Sequence, residues 1–112
     1  MSEKSLRAPA VLVLTSLAGG PQHGYAVIED VLRISDGKVR LHTGTLYALL
    51  DRLREGGLIE VDREEIVASR LRRYYRLTRD GRRALAQEAE LRAATARVVR
   101  TRLGLAGAEA AG

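Results

Sequence analysis

The chain has 112 residues, a formal net charge of +5, a pI near 10.2, and no Cys, Trp or Phe. That length suits one small domain with a modest core. The missing cysteines exclude a disulfide framework and a thiolate metal site. No apolar run is long enough for a membrane span and no signal-peptide pattern opens the chain, so a cytoplasmic, nucleoid-associated protein is expected.

Residues 1 to 5 are polar and read as loose. "LRAPAVLVLTSLAGG" predicts a helix from about Leu6 to Ala18, with Pro9 in its first turn and Gly19 and Gly20 ending it. Its Val and Leu residues spread around most of the cylinder, so it needs cover on most sides, which points to a second subunit. "GGPQHG" reads as a turn. "YAVIEDVLRIS" follows as an amphipathic helix, with Val27, Ile28, Val31 and Leu32 inward and Glu29, Asp30 and Arg33 outward.

The connector "DGKVRLH" leads to a third helix, in which Leu46, Leu49, Leu50 and Leu53 form one buried stripe and Gly56 and Gly57 stop it. Its start is richer than a cap requires. Thr43 is the expected N-cap. Gly44 removes side-chain bulk so that a phosphate or base edge can approach the backbone. The free N–H groups of the first turn favour an anion. Thr45 and Tyr47 add hydroxyls, and Lys38, Arg40 and His42 lead in from the loop. Taken singly, each has a packing or capping explanation; together they favour DNA.

"LIEVDREEI" and "LRRYYRLT" alternate with period two and read as a hairpin with "VASR" at its tip. On the second strand Leu71, Arg73, Tyr75 and Leu77 share one face, the Tyr75–Leu77 part of it facing the core. Charge is distributed unevenly: seven arginines and one acid between Arg70 and Arg83, four acids and one arginine between Glu60 and Glu65. The arginine run, Arg70, Arg72 and Arg73 included, reads as a phosphate-facing surface. Thr78 caps a last helix reaching about Leu103, with Asp80 near its positive end. That helix carries two apolar stripes, Leu85–Ala89–Ala96–Val99–Leu103 and Leu91–Ala94–Val98, enough for the parent domain and a second copy. The tail, residues 105–112, reads as disordered.

Helix, helix, helix, hairpin and long helix is the plan of a winged helix-turn-helix: mainly α with a small β-hairpin (α+β), and a C-terminal dimerisation helix. The expected units are a DNA-binding domain over 6–78 and a dimerisation helix over 79–104. "HGYAVIEDV", "GTLYALLDRLREGGLIE" and "RRYYRLTRDGRRAL", in that order, resemble the signature blocks of the PadR family of bacterial transcriptional regulators. The resemblance covers roughly residues 10 to 85. It implies a cytoplasmic homodimeric repressor of an inverted-repeat operator, short-tailed, with release by an unidentified small-molecule effector as an open option. Carried over, Thr43, Gly44, Thr45 and Tyr47 match the recognition-helix motif, Tyr25 a phosphate contact, and Arg72, Arg73, Tyr74 and Tyr75 the basic-aromatic wing strand. Val11, Leu14, Leu85, Leu91, Val98, Val99 and Leu103 are the expected dimer contacts.

The chain departs from the family at the wing tip, where "EEIVASRLRR" replaces a Gly-rich, Pro-containing tip, and at Ala48, where proline is common. His23 and His42 lie in separate turns without an acid–base partner, so no catalytic or metal site and no cofactor is expected. The alternative function is a winged-helix module that binds an acidic protein.

Overall fold

The computed structural model describes residues 6–105. Four helices and three strands follow one another as α1 (Ala8–Ala18), β1 (Gln22–His23), α2 (Gly24–Ile34), α3 (Thr43–Glu55), β2 (Ile59–Val67), β3 (Arg70–Leu77) and α4 (Arg79–Arg102). The strands form one antiparallel sheet in the order β1-β3-β2. This is the expected α+β winged-helix architecture. The loose first five residues and most of the expected disordered tail, residues 106–112, lie outside the described residues.

Each helix buries the stripe that its sequence period dictates. Val27 and Val31 of α2 and Leu46, Leu49, Leu50 and Leu53 of α3 meet Val13, Leu14 and Leu17 of α1 in one core, closed on the sheet side by Ile59, Tyr75 and Leu77. Burying one such leucine fully is worth about 1.5–3 kcal/mol relative to leaving it exposed. Helix α1 is the hub, touching α2, β3 and α4. Its all-round apolarity is therefore met largely inside the chain. Leu14 is fully buried and has no surface to offer a second subunit, which corrects its place among the dimer contacts.

Two local features depart from the sequence reading. The "GGPQHG" stretch is not only a turn, because Gln22 and His23 pair with Tyr75 and Tyr74 of β3. Asp30 does not face out freely: it accepts hydrogen bonds from Gln22 Nε2 (3.4 Å) and Arg33 Nη2 (3.1 Å). Burial pushes the Asp30 carboxyl up, but hydrogen bonds from Ser16, Arg33 and Gln22 outweigh it and hold the group below its usual range.

The start of α4 is clasped to the turn after α3. Thr78 Oγ1 accepts from Gly81 N (2.9 Å) and donates to the Gly57 carbonyl (2.6 Å), while Thr78 N donates to the Leu58 carbonyl (3.1 Å). Two turns beyond Gly81, Glu88 is buried and accepts from Leu6 N (2.8 Å) and from Arg92, whose guanidinium also reaches the Leu6 carbonyl (3.4 Å). Beyond Glu88 the helix leaves the body. Residues 89–99 are all exposed, and about 20 Å of helix projects from a molecule 56 Å long and 22 Å thick. Gly104, at φ +79, ends it.

The Leu6 amide, with Arg92 beside it, holds the Glu88 carboxyl below its usual value of 4.5 against the opposing effect of burial. A depressed carboxylate stabilises the fold above its unfolded pKa, and that contribution disappears as pH falls through the folded value. The expected result is a melting temperature that falls more steeply below pH ~4.5 in the wild type than in Glu88→Gln. The gap between the two should be widest at neutral pH and should narrow in acid. Parallel pH profiles would show that the clasp is not linked to ionisation.

Candidate nucleic-acid interface

The amino end of α3 is open. Its N-cap is His42, at φ −82 and ψ 155, and Thr43 is already the first helical residue, which corrects the expected cap by one position. No side chain caps α3, whereas His23 caps α2 and Thr78 caps α4. Thr43, Gly44 and Thr45 are exposed, so the first-turn N–H groups can take an acceptor from outside the chain. A Cβ on Gly44 would meet nothing within 4 Å, so internal packing does not require glycine there.

Thr45 and Tyr47 are exposed, but they do not act as one patch. Two residues along a helix turn about 200° around its axis. Tyr47 lines a cleft of about 420 Å³ between the start of α2 and the hairpin, shared with His23, Tyr25, Arg70 and Arg72. Thr45 lines a different groove, of about 780 Å³, where Arg7 and Pro9 at the amino end of α1 face Leu49 and Arg52 of α3. Helix α3 thus has two flanks, each bordered by its own cations.

Gly24, which the sequence reading did not single out, sets the Tyr47 flank. A Cβ at Gly24 would run into the Tyr47 hydroxyl and come within 2.8 Å of its Cζ, so only glycine lets this ring lie over the first turn of α2. The "HG" pair before Tyr25 was the available signal. Beside it, His23 Nδ1 accepts from Ala26 N (3.3 Å), and the imidazole meets the Tyr74 ring edge-on at 5.4 Å. Burial, with Arg72 nearby, pushes this imidazole below its usual value against the smaller pull of Glu29 and Glu65, so it is neutral at pH 7, as the cap requires. Tyr25 is strongly exposed at the mouth of the cleft. Lys38, Arg40 and His42 are exposed on the loop leading into α3 and do not line the cleft.

Strand pairing redistributes the charge that looked concentrated in the sequence. Glu60, Glu64 and Glu65 stand opposite Arg76, Arg73 and Arg72 in the β2–β3 register. Arg73 Nε donates to Glu64 at 2.8 Å, and Arg76 donates to Glu60 (2.8 Å) and Asp62 (2.9 Å). A bulge between Val61 and Arg63 brings Asp62 into the same network, and Arg63 bonds Asp62 and Glu65 while covering the Tyr74 ring at 3.9 Å. Among the described residues no acid pairs with Arg70 or Arg72, so these two remain as wing cations facing the cleft. Among the described residues Arg52 and Arg54 form no ion pair either.

Of the expected dimer contacts, Leu85 packs partly on the core and Val11 is half-buried. Leu91, Val98 and Val99 are exposed on the projecting part of α4, and Leu103 and Leu105 are exposed just past its end.

The sequence pattern of the "Transcriptional regulator PadR-like family" matches residues 13–87. The fold is similar to that of a transcriptional regulator from Clostridium thermocellum, at 25% identity over 82% of this chain and 89% of that chain, with a TM-score of 0.70. It is also similar to a PadR family transcriptional regulator from Eggerthella lenta, at 28% identity over 85% of this chain and 83% of that chain, with a TM-score of 0.67. Bacillus subtilis PadR, solved in complex with operator DNA, shares the fold at 22% identity and a TM-score of 0.65; the match covers 72% of this chain and 46% of that one. Comparison with curated proteins returned no match.

Proposed function

The chain belongs to the PadR-like family of transcriptional regulators, and from that premise we propose that it binds double-stranded DNA as a homodimer and represses transcription from an inverted-repeat operator. Residues 6–78 serve as the DNA-binding unit and residues 79–104 as the dimerisation helix. The observation that carries this reading is the open amino end of α3, uncapped and exposed, flanked on one side by Tyr47 with Arg70 and Arg72 and on the other by Thr45 with Arg52. Such an end, set in the major groove, can accept phosphate oxygens at its N–H groups while side chains of the first two turns meet base edges.

The apolar residues on the projecting half of α4 supply the second requirement. Paired about a two-fold axis, they place two copies of α3 in successive major grooves about 34 Å apart. Arginines that lack an internal acid supply salt-sensitive, sequence-blind affinity; the first turns of α3 supply register and base choice. A small-molecule effector releases the operator only by preferring one dimer geometry over another.

The test is a gel-shift titration of Thr45→Ala and Tyr47→Ala on operator and on random duplex across a salt series. Each variant is expected to lose about ten-fold on operator, the scale of one base contact of 1–3 kcal/mol, and much less on random DNA. Equal losses on both DNAs would overturn this division of roles. An absence of wild-type binding to any duplex at low salt would instead favour a module that binds acidic protein.

A further inference from the structure

Helix α4 is held to the body at two places and runs free beyond the second. The first is its amino end, where Thr78 bonds the turn after α3 and Gly81 lies against the Leu58 backbone. The second is Glu88. Gly81, Leu85 and Glu88 fall at i, i+4 and i+7, so they share the face turned to the body. An apolar residue would simply extend that stripe. A carboxylate stands there instead, and among the described residues it is the one buried charged side chain. Leu6 N–H donates to one of its oxygens at 2.8 Å, Arg92 donates to the other, and Arg92 also donates to the Leu6 carbonyl at 3.4 Å. Both backbone groups of Leu6 are thus gripped by side chains one turn apart on α4. Apolar contact is non-directional, whereas charge-assisted hydrogen bonds fix distance and angle. The gripped segment leads directly to the groove beside α3, because Leu6 and Arg7 line that groove with Thr45 and Arg52.

Resting on the homodimeric DNA-binding reading above, we infer that the Leu6–Glu88–Arg92 clasp sets the direction in which α4 leaves the body, and with it the half-site spacing that the dimer accepts. Glu88 is then a positioning residue for operator choice, acting through α4 and not through DNA. Leverage gives the scale. At 1.5 Å per residue, Gly81 to Glu88 spans about 10 Å of helix and Gly81 to Leu103 about 33 Å. A slip of about 1 Å at Glu88 therefore moves the far end of α4 by about 3 Å relative to the body. That is close to the rise of roughly 3.4 Å between successive base pairs. In a two-fold dimer joined through α4, the same slip occurs on both sides of the axis, so the displacement between the two copies of α3 is larger still. An apolar residue at position 88 would hold α4 near the body without fixing its angle; the carboxylate removes that freedom.

The experiment uses an operator duplex selected from random DNA with the wild type, remade with its half-sites one or two base pairs closer together or further apart. Wild type, Glu88→Leu, Glu88→Gln and Arg92→Ala are titrated on this series and on random duplex, with the mass of each followed by light scattering. The wild type is expected to lose roughly ten-fold in affinity per base pair of displacement, the scale of one mismatched position. Glu88→Leu fills the space but accepts no hydrogen bond. It is expected to flatten the profile to within about three-fold while staying dimeric and binding random duplex as the wild type does. Glu88→Gln still offers Leu6 an acceptor and should restore most of the discrimination, whereas Arg92→Ala should flatten it in part. A Glu88→Leu profile shaped like that of the wild type overturns the inference, whatever the overall affinity. So does loss of the dimer, which would make Glu88 an assembly residue. If Glu88→Leu does not fold, Arg92→Ala decides by the same two criteria. A wild type that binds no duplex, or binds as a monomer, fails the reading on which this inference rests and not the clasp.

Discussion

Gly81→Ala is expected to lower stability by about 2–4 kcal/mol, a large part of the 5–15 kcal/mol typical of a folded domain. The added methyl would run into the Leu58 carbonyl oxygen and stand 2.9 Å from its carbon and 3.3 Å from its Cα. These are backbone atoms and cannot swing aside as a side chain would. Relief requires moving the first turn of α4 away from the turn after α3, which breaks the two hydrogen bonds of Thr78 with Gly57 and Leu58. Overpacking costs about 1–3 kcal/mol and each lost hydrogen bond about 1 kcal/mol. The better helix propensity of alanine returns about 1 kcal/mol. The melting temperature should fall by roughly 10 °C or more. Gly44→Ala is the control, since it is also a first-turn helical glycine but one whose Cβ would meet nothing. Its stability should hold or rise by about 0.5–1 kcal/mol. If Gly81→Ala melts within a few degrees of the wild type, the turn is more yielding than this packing implies.

The second large effect concerns assembly. Leu91→Asp/Val98→Asp is expected to yield a monomer that binds operator at least ~100-fold more weakly. Both residues are exposed on the same face of α4, one heptad apart, and clear of the core, so the domain should fold normally. A two-fold axis would double every introduced charge within the proposed interface, where it would be desolvated without a partner. Once the protomers separate, the second half-site is no longer engaged at the high local concentration that linkage provides, and avidity of 10²–10⁴ is lost. Non-specific binding per protomer should change far less. Light scattering reads the mass and gel shift the affinity. A wild type that is monomeric at working concentration, or a monomeric variant that binds operator at full strength, would remove the homodimer from the proposed mechanism.

Much of the fold could be read directly where local chemistry is self-sufficient. The stripes of α2 and α3, the Thr78 cap and the alternation of both hairpin strands each follow from a period or a cap complete within a few residues. The two residues of β1 could not be read, because so short a strand has no period and exists only through pairing with Tyr74 and Tyr75. The all-round apolarity of α1 signalled a need for cover but not its source, and much of that cover is internal.

The candidate site divides in the same way. The sequence by itself determined that a glycine-containing, hydroxyl-bearing turn opens the third helix, that arginines follow it on a hairpin, and that the last helix has apolar residues to spare. Only tertiary structure decided that Thr45 and Tyr47 face different grooves, that Gly24 makes room for the Tyr47 ring, and that Glu60, Asp62 and Glu64 neutralise Arg76 and Arg73 while Arg70 and Arg72 stay available. The physical reason is distance along the chain. Periodicity and capping act over one or two turns and are written in neighbouring residues. Charge cancellation and steric clearance arise between residues far apart in sequence and become defined only when strand register and helix packing bring them together.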